Sequence, residues 1–180
     1  LSGGPIPNSD SYNILQIHFH WGEARANSTN GSEHTYYSNN TRFPLEMHIV
    51  HVKKGYELNG TNNFTNFIDG LAVTGFMFNL TEGNFFKEPI QFLISGQNNT
   101  ELQPIISSLS NISKANNATN FPPEGEPFNL TALISPAIGA GKRYAYYDGG
   151  LTTPICNEVV MWINIEEPLT ISTTQLEAFR

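Results

Sequence analysis

"LQIHFHWGE", residues 15–23, sets two histidines one residue apart among apolar neighbours. A short run of β-branched and aromatic residues reads as a strand, here Leu15–Trp21. Residues two apart on a strand share a face. Gln16, His18 and His20 therefore project together, while Ile17, Phe19 and Trp21 point the other way, into a core. Two imidazoles on one face can converge on a metal ion, or they can be core histidines bonded to backbone. A catalytic zinc takes neutral imidazole nitrogens at about 2.0–2.1 Å and keeps one position open for water, so a third ligand is needed. The run "PLEMHIVHV", residues 44–52, supplies a second strand with His48 and His51 on opposite faces. If the two strands are antiparallel neighbours, only one of these histidines can join the pair. His48 is preferred, because Glu46 lies two residues earlier on the same face and can fix its ring.

Outward from these strands, Leu71–Leu80, Pro89–Ser95 and Val159–Ile165 read as further strands. Glu101–Lys114 carries Leu102, Ile105, Ile106 and Leu109 at helical spacing. Thr173–Phe179 starts as a helix with Ser172 or Thr173 as its cap. Residues 116–127 are a loop dense in Asn, Pro and Gly, and no internal repeat is visible. A mainly β domain with short helices follows.

At 180 residues the chain is the size of one domain, residues 1–180. Nine basic against sixteen acidic residues give a net charge of −7, which argues against a nucleic-acid or anionic-membrane partner. The longest apolar run, about Leu71–Phe78, is broken by Gly75 and too short to span a bilayer. Membrane anchoring is not visible, and oligomeric state has no signature.

Asparagine is the other signal. Asn27, Asn30, Asn39, Asn59, Asn63, Asn79, Asn98, Asn111, Asn117 and Asn129 each open an N-x-S/T sequon. Chance placement of the asparagines and hydroxyl residues gives roughly three such sites. The excess predicts a glycoprotein that is extracellular, secreted or held at the cell surface. Cys156 stands alone, which in a secreted protein means a missing partner, an intermolecular bond or a free thiol.

Five segments then combine: "QIHFHWG" (16–22), "GSEHT" (31–35), "LEMHIVHV" (45–52), "GLAVTGF" (70–76) and "GGLTTPICNEVVMW" (149–162). In order and approximate spacing they resemble the alpha-class carbonic anhydrases, from Gly3 to Arg180. The resemblance implies a large, twisted, mostly antiparallel central sheet with short helices. It implies Zn2+ held by His18, His20 and His48, with Gln16 bonded to the ring of His18 and Glu46 to that of His48. His34 and His51 become structural. Thr152 would donate to Glu33 and receive a hydrogen bond from the nucleophile. Thr153 would line the substrate side, and Val50, Val73, Leu151, Val160 and Trp162 would form an apolar wall for carbon dioxide. The implied reaction is reversible hydration of carbon dioxide to bicarbonate and a proton by zinc-hydroxide attack, with that small molecule as the partner.

Three features depart from the family pattern. No spare histidine is present to carry the proton to buffer. The segments before the first histidine strand and after Arg180 are missing, as is the cysteine that pairs with the counterpart of Cys156 in secreted relatives. The expectation is a fragment lacking both ends of the fold, and poorly stable in isolation. A competing reading is a secreted carbonic-anhydrase-like binding or biomineral matrix protein with weak or no activity. A cupin-like oxygenase could draft Glu23 beside the H-x-H pair, but "GGLTTP" has no place in it.

Overall fold

The computed structural model describes residues 1–23, 30–35, 40–56, 63–81, 96–112, 114, 121–122 and 127–180. The two opening stretches are strands: β1 spans Tyr12–Trp21 and β2 spans Leu45–Lys53. β3 is Leu71–Leu80, β4 is Tyr144–Gly149 and β5 is Val160–Ile171. They form one five-stranded sheet in the order β1-β2-β3-β5-β4. Pro89–Ser95 lies outside the described residues, so that expected strand has no counterpart to compare.

Register follows from a few bonds. His18 lies by His48, while the Lys54 N–H donates to the Ser11 carbonyl, so β1 and β2 run antiparallel. β2 and β3 are antiparallel too: the Lys53 N–H donates to the Gly70 carbonyl and the Thr74 hydroxyl to that of Ile49. β3 and β5 run parallel. The Leu71 N–H donates to Val159 at one end and the Thr81 N–H to Ile171 at the other. β4 pairs with β5 antiparallel, Tyr147 facing Trp162. The expected mostly antiparallel sheet is present, with one parallel seam.

Chain contacts divide the protein into two units: 1–19, 47–76 and 141–167 in one; 20–46, 77–140 and 168–180 in the other. In the first, alternation along the strands sorts side chains onto two apolar faces. One gathers Val50, Val52, Leu71, Val73, Val159, Val160 and Trp162, with Leu151 packed against it. The other gathers Ile6, Tyr12, Ala72 and Ile163. Continuous burial of Leu45–Val52 and Leu71–Phe78 reflects strands covered on both sides.

The described residues of the second unit include three short helices, α1 (Gln103–Leu109), α2 (Leu130–Ile134) and α3 (Thr173–Phe179). The helix expected over Glu101–Lys114 is narrower: α1 is flanked by single 3-10 turns at Thr100–Leu102 and Ser110–Ile112. Pro104 in its first turn fits a helix start. The cap of α3 is Ser172, in a reciprocal capping box with Gln175. Gln175 also clamps Asn99: Asn99 N–H donates to Oε1 and Nε2 donates to the Asn99 carbonyl, both at 2.9 Å. β4 and α2 were not anticipated. β4 is mostly solvent-exposed, so it has no apolar alternation to read, and α2 is five residues capped by Asn129.

One expectation is corrected. Trp21 does not point into a core but is 45% exposed, and Ile17 and Phe19 are only half-buried. β1 is an outer strand among the described strands, and its second face is less covered than those of β2 and β3. No helix of the described residues is long and apolar enough to cross a membrane.

Candidate metal centre

His18 and His20 stand on β1 and His48 on β2, the neighbouring strand. Antiparallel register brings His18 Nε2 to 3.3 Å from His48 Nδ1, with the rings nearly perpendicular at 85°. An N–H···N hydrogen bond has that length, and so do two donors on one zinc. Bonds of about 2.0–2.1 Å in a tetrahedron hold neighbouring nitrogens about 3.3–3.4 Å apart. The third ring discriminates. His18, His20 and His48 each offer a ring nitrogen within 4.8 Å of the others. His48 is 1% exposed, whereas His18 and His20 are half-buried. Three converging imidazoles with no carboxylate among them, partly open to solvent, fit a catalytic zinc site rather than a closed structural one.

The model of the eukaryotic-type carbonic anhydrase family matches residues 1–180. The chain belongs to that family. It is 33% identical over 180 residues to carbonic anhydrase 1 of Oryctolagus cuniculus. It is 31% identical over 183 residues to carbonic anhydrase 3 of Homo sapiens and, equally, to carbonic anhydrase 3 of Sus scrofa. All of this chain is covered in each case, but it spans only 63% of the rabbit protein and 57% of the other two. Carbonic anhydrases use zinc, and the three-histidine group of this chain fits that ion.

Around a carbonic anhydrase metal site the supporting residues matter as much as the ligands. Glu46 is fully buried and its carboxylate is compensated by local donors. Oε2 accepts from the Glu33 N–H at 2.7 Å and the His34 N–H at 3.0 Å, and Oε1 lies 2.5 Å from His34 Nδ1. Glu46, His34 and His48 also bring one donor atom each within 4.8 Å of one another. His34 is thus tied into the carboxylate network, a partnership the sequence did not single out. His51 is buried, with Nδ1 3.2 Å from the Ala72 carbonyl, and burial lowers its pKa to about 4.

The "GSEHT" turn is stapled to the entry of β2. Gly31 and Ser32 N–H both donate to the Phe43 carbonyl, and Ser32 Oγ accepts from the Phe43 N–H. A Cβ at Gly31 would sit 2.1 Å from the Pro44 carbonyl oxygen, so only glycine allows this approach. The turn presents Glu33 Oε1 3.3 Å from His20 Nδ1, while Oε2 is buried with no partner among the described residues.

All five residues expected in the apolar wall lie in one cluster: Val50, Val73, Val160 and Trp162 within it, Leu151 packed against it. Trp162 meets His48 edge-on, ring centroids 4.9 Å apart, and donates its Nε1–H to the Gly150 carbonyl. Gln16, Thr152 and Thr153 are exposed, and the Gln16 side chain has no hydrogen bond among the described residues. Cys156 is exposed and free, with φ of 57°. Of the sequons, Asn27, Asn39, Asn59 and Asn117 lie outside the described residues. Asn30, Asn79, Asn98, Asn111 and Asn129 are exposed, and Asn63 is half-buried.

Proposed function

We propose that this chain carries the active site of a zinc enzyme that reversibly hydrates carbon dioxide to bicarbonate and a proton. The observation that carries this reading is one conjunction. Three imidazole donors converge, and the most buried of them stands against Trp162 of an apolar cluster. An ion with an open position would then adjoin a surface suited to a small, neutral, apolar molecule. When bound, zinc lowers the pKa of a water so that hydroxide is present near neutral pH, an effect for which carbonic anhydrase itself is the reference case. His18, His20 and His48 would hold the ion as neutral ligands and leave its charge uncancelled.

Thr152 and Glu33 orient the nucleophile in this reading. The Thr152 hydroxyl would donate to Glu33, which leaves its oxygen to accept a hydrogen bond from the nucleophile that bound zinc would supply. The buried, unpartnered Oε2 of Glu33 supports this, because a buried acceptor calls for a donor. Val50, Val73, Leu151, Val160 and Trp162 bind carbon dioxide loosely, with Thr153 on the substrate side. Glu46 would orient the ring of His48, and Gln16, exposed and without a side-chain hydrogen bond among the described residues, would have to turn onto the ring of His18.

The ten sequons support secretion and N-glycosylation, and five of them lie at exposed asparagines. Mass loss on treatment with a peptide N-glycosidase checks that part. For the reaction, zinc content and carbon dioxide hydration are measured in the wild type and in His48→Ala. Zinc near one per chain, with both zinc and hydration lost in the variant, is the expected result. Full zinc without hydration in the wild type overturns the reading and leaves a carbonic-anhydrase-like binding or biomineral matrix protein.

A further inference from the structure

We propose that Asn98 and Asn129 are N-glycosylation sites whose side-chain amides do two jobs at once: Nδ2 carries the glycan while Oδ1 holds the fold. The proposal rests on the glycoprotein reading above and singles out two of its ten sequons. The two polar atoms of an asparagine amide have separate uses, Oδ1 as acceptor and Nδ2 as donor. In the modification, Nδ2 bonds to the anomeric carbon of a lipid-pyrophosphate-linked oligosaccharide. The bond from that carbon to the phosphate oxygen breaks with its electron pair, and Nδ2 gives up one proton to the departing lipid pyrophosphate. The side chain stays an amide, so its oxygen accepts hydrogen bonds as before.

Both amides are divided in this way. Asn129 opens "NLT" at 129–131 and caps α2, its Oδ1 accepting from the Ala132 N–H at 3.0 Å. A backbone N–H can meet only the oxygen of the amide, so Nδ2 is the atom left over. Asn98 opens "NNT" at 98–100, and its Oδ1 accepts from the Ser172 hydroxyl at 2.6 Å. Ser172 Oγ itself accepts the Gln175 N–H in the capping box of α3, so Asn98 takes the one proton that this cap has to give. Both asparagines are exposed, and neither Nδ2 has a hydrogen bond among the described residues. A bulky, hydrated glycan needs such an outward nitrogen. Asn99, next in the chain, has the opposite arrangement. It opens no sequon, is half-buried, and uses Nδ2 on the Thr170 carbonyl at 2.9 Å as well as Oδ1 on the Glu101 and Leu102 N–H groups. Thr100 and Thr131, the third residues of the two sequons, are exposed and make no side-chain hydrogen bond among the described residues. Each sequon can therefore be erased without touching its amide.

For the test, the protein is produced through the secretory pathway of a eukaryotic host and treated with peptide N-glycosidase in heavy-oxygen water. Hydrolysis breaks the bond from the side-chain carbonyl carbon to Nδ2 and leaves an aspartate that carries the heavy oxygen. Peptide mass spectrometry is expected to find that label at Asn98 and Asn129. A protein labelled at other sequons but unlabelled at either of these overturns the proposal and leaves the glycoprotein reading standing. No label anywhere overturns both. The second job is read from pairs in which neither member can carry the glycan: Thr131→Ala against Thr131→Ala with Asn129→Ala, and Thr100→Ala against Thr100→Ala with Asn98→Ala. The unfolding constant of the double variant is expected to exceed that of its single about 2–30-fold at Asn129 and about 2–13-fold at Asn98. Equal constants within either pair overturn the structural half of the proposal. Should an alanine double variant fail to fold, Asn129→Asp and Asn98→Asp in the same backgrounds keep an acceptor oxygen and are expected to match their singles. A raised unfolding constant in them overturns it equally.

Discussion

Among individual residues, His51 shows how burial sets a histidine's charge. It is 5% exposed, bonded to the Ala72 carbonyl, and its pKa is lowered from 6.5 to about 4 by loss of solvent. The unfolded chain therefore takes up a proton between pH 6.5 and 4 that the folded chain refuses. This contribution to stability is complete above pH 6.5, declines as pH falls and is gone below about pH 4. Its size is about 3 kcal/mol, at about 1.4 kcal/mol per pKa unit. In His51→Gln, whose amide can still donate to Ala72, unfolding midpoints measured from pH 7 to 4 should fall less steeply than in the wild type. His48, three residues earlier, was separable from His51 by sequence alone, because a strand alternates faces and Glu46 marks the ligand face. The pairing of His34 with Glu46 was not legible: they lie twelve residues apart, and only the turn at Gly31 brings them together.

At the level of elements, the clearest lock is between α3 and the 3-10 turn before α1. Gln175 is 2% exposed and serves the capping box of its own helix while bonding the N–H and carbonyl of Asn99. Asn99 in turn donates to the Thr170 carbonyl and accepts from the Glu101 and Leu102 N–H groups. Gln175→Ala removes the partners of two half-buried backbone groups and should cost about 1–3 kcal/mol, read as a lower denaturant midpoint at unchanged m-value. Elements with a buried, periodic face were the legible ones. β3 matches its expected span, and β1, β2 and β5 extend theirs by a few residues. β4 was missed because a strand with tyrosines on its exposed surface carries no alternation, and Trp21 was misplaced because strand periodicity says which residues share a face, not whether anything covers it. The ligand set was readable because two of its members share one strand; the Glu33–His20 contact depends on a loop path that no local pattern encodes.

For the molecule as a whole, sheet order decides what remains open. β1 is an outer strand of the described sheet and exposes Ile14 at 55%, Leu15 at 41% and Trp21 at 45%. An apolar outer strand is a template for pairing with another chain. This 180-residue chain should therefore associate as its concentration rises, and Ile14→Lys should shift sedimentation profiles toward monomer at equal concentration. Identical profiles for both would show that β1 plays no part in association.

The parallel seam between β3 and β5 also dictates an order of events in time. Thr81 and Ile171 are bonded to each other across 90 positions of sequence. Translation proceeds at about 5–20 residues per second, so a completed β3 waits roughly 5–20 seconds for its partner to emerge. During that interval the apolar residues Leu71–Phe78 have β2 on one side and, among the described strands, no partner on the other until β5 emerges. Native pairing of this kind is late and slow, because the loop must close before its contacts reward it. Nascent chains halted shortly after Ile134 should be held by chaperones and cut readily by protease across β3, and those in which β5 has fully emerged should be cut there more slowly.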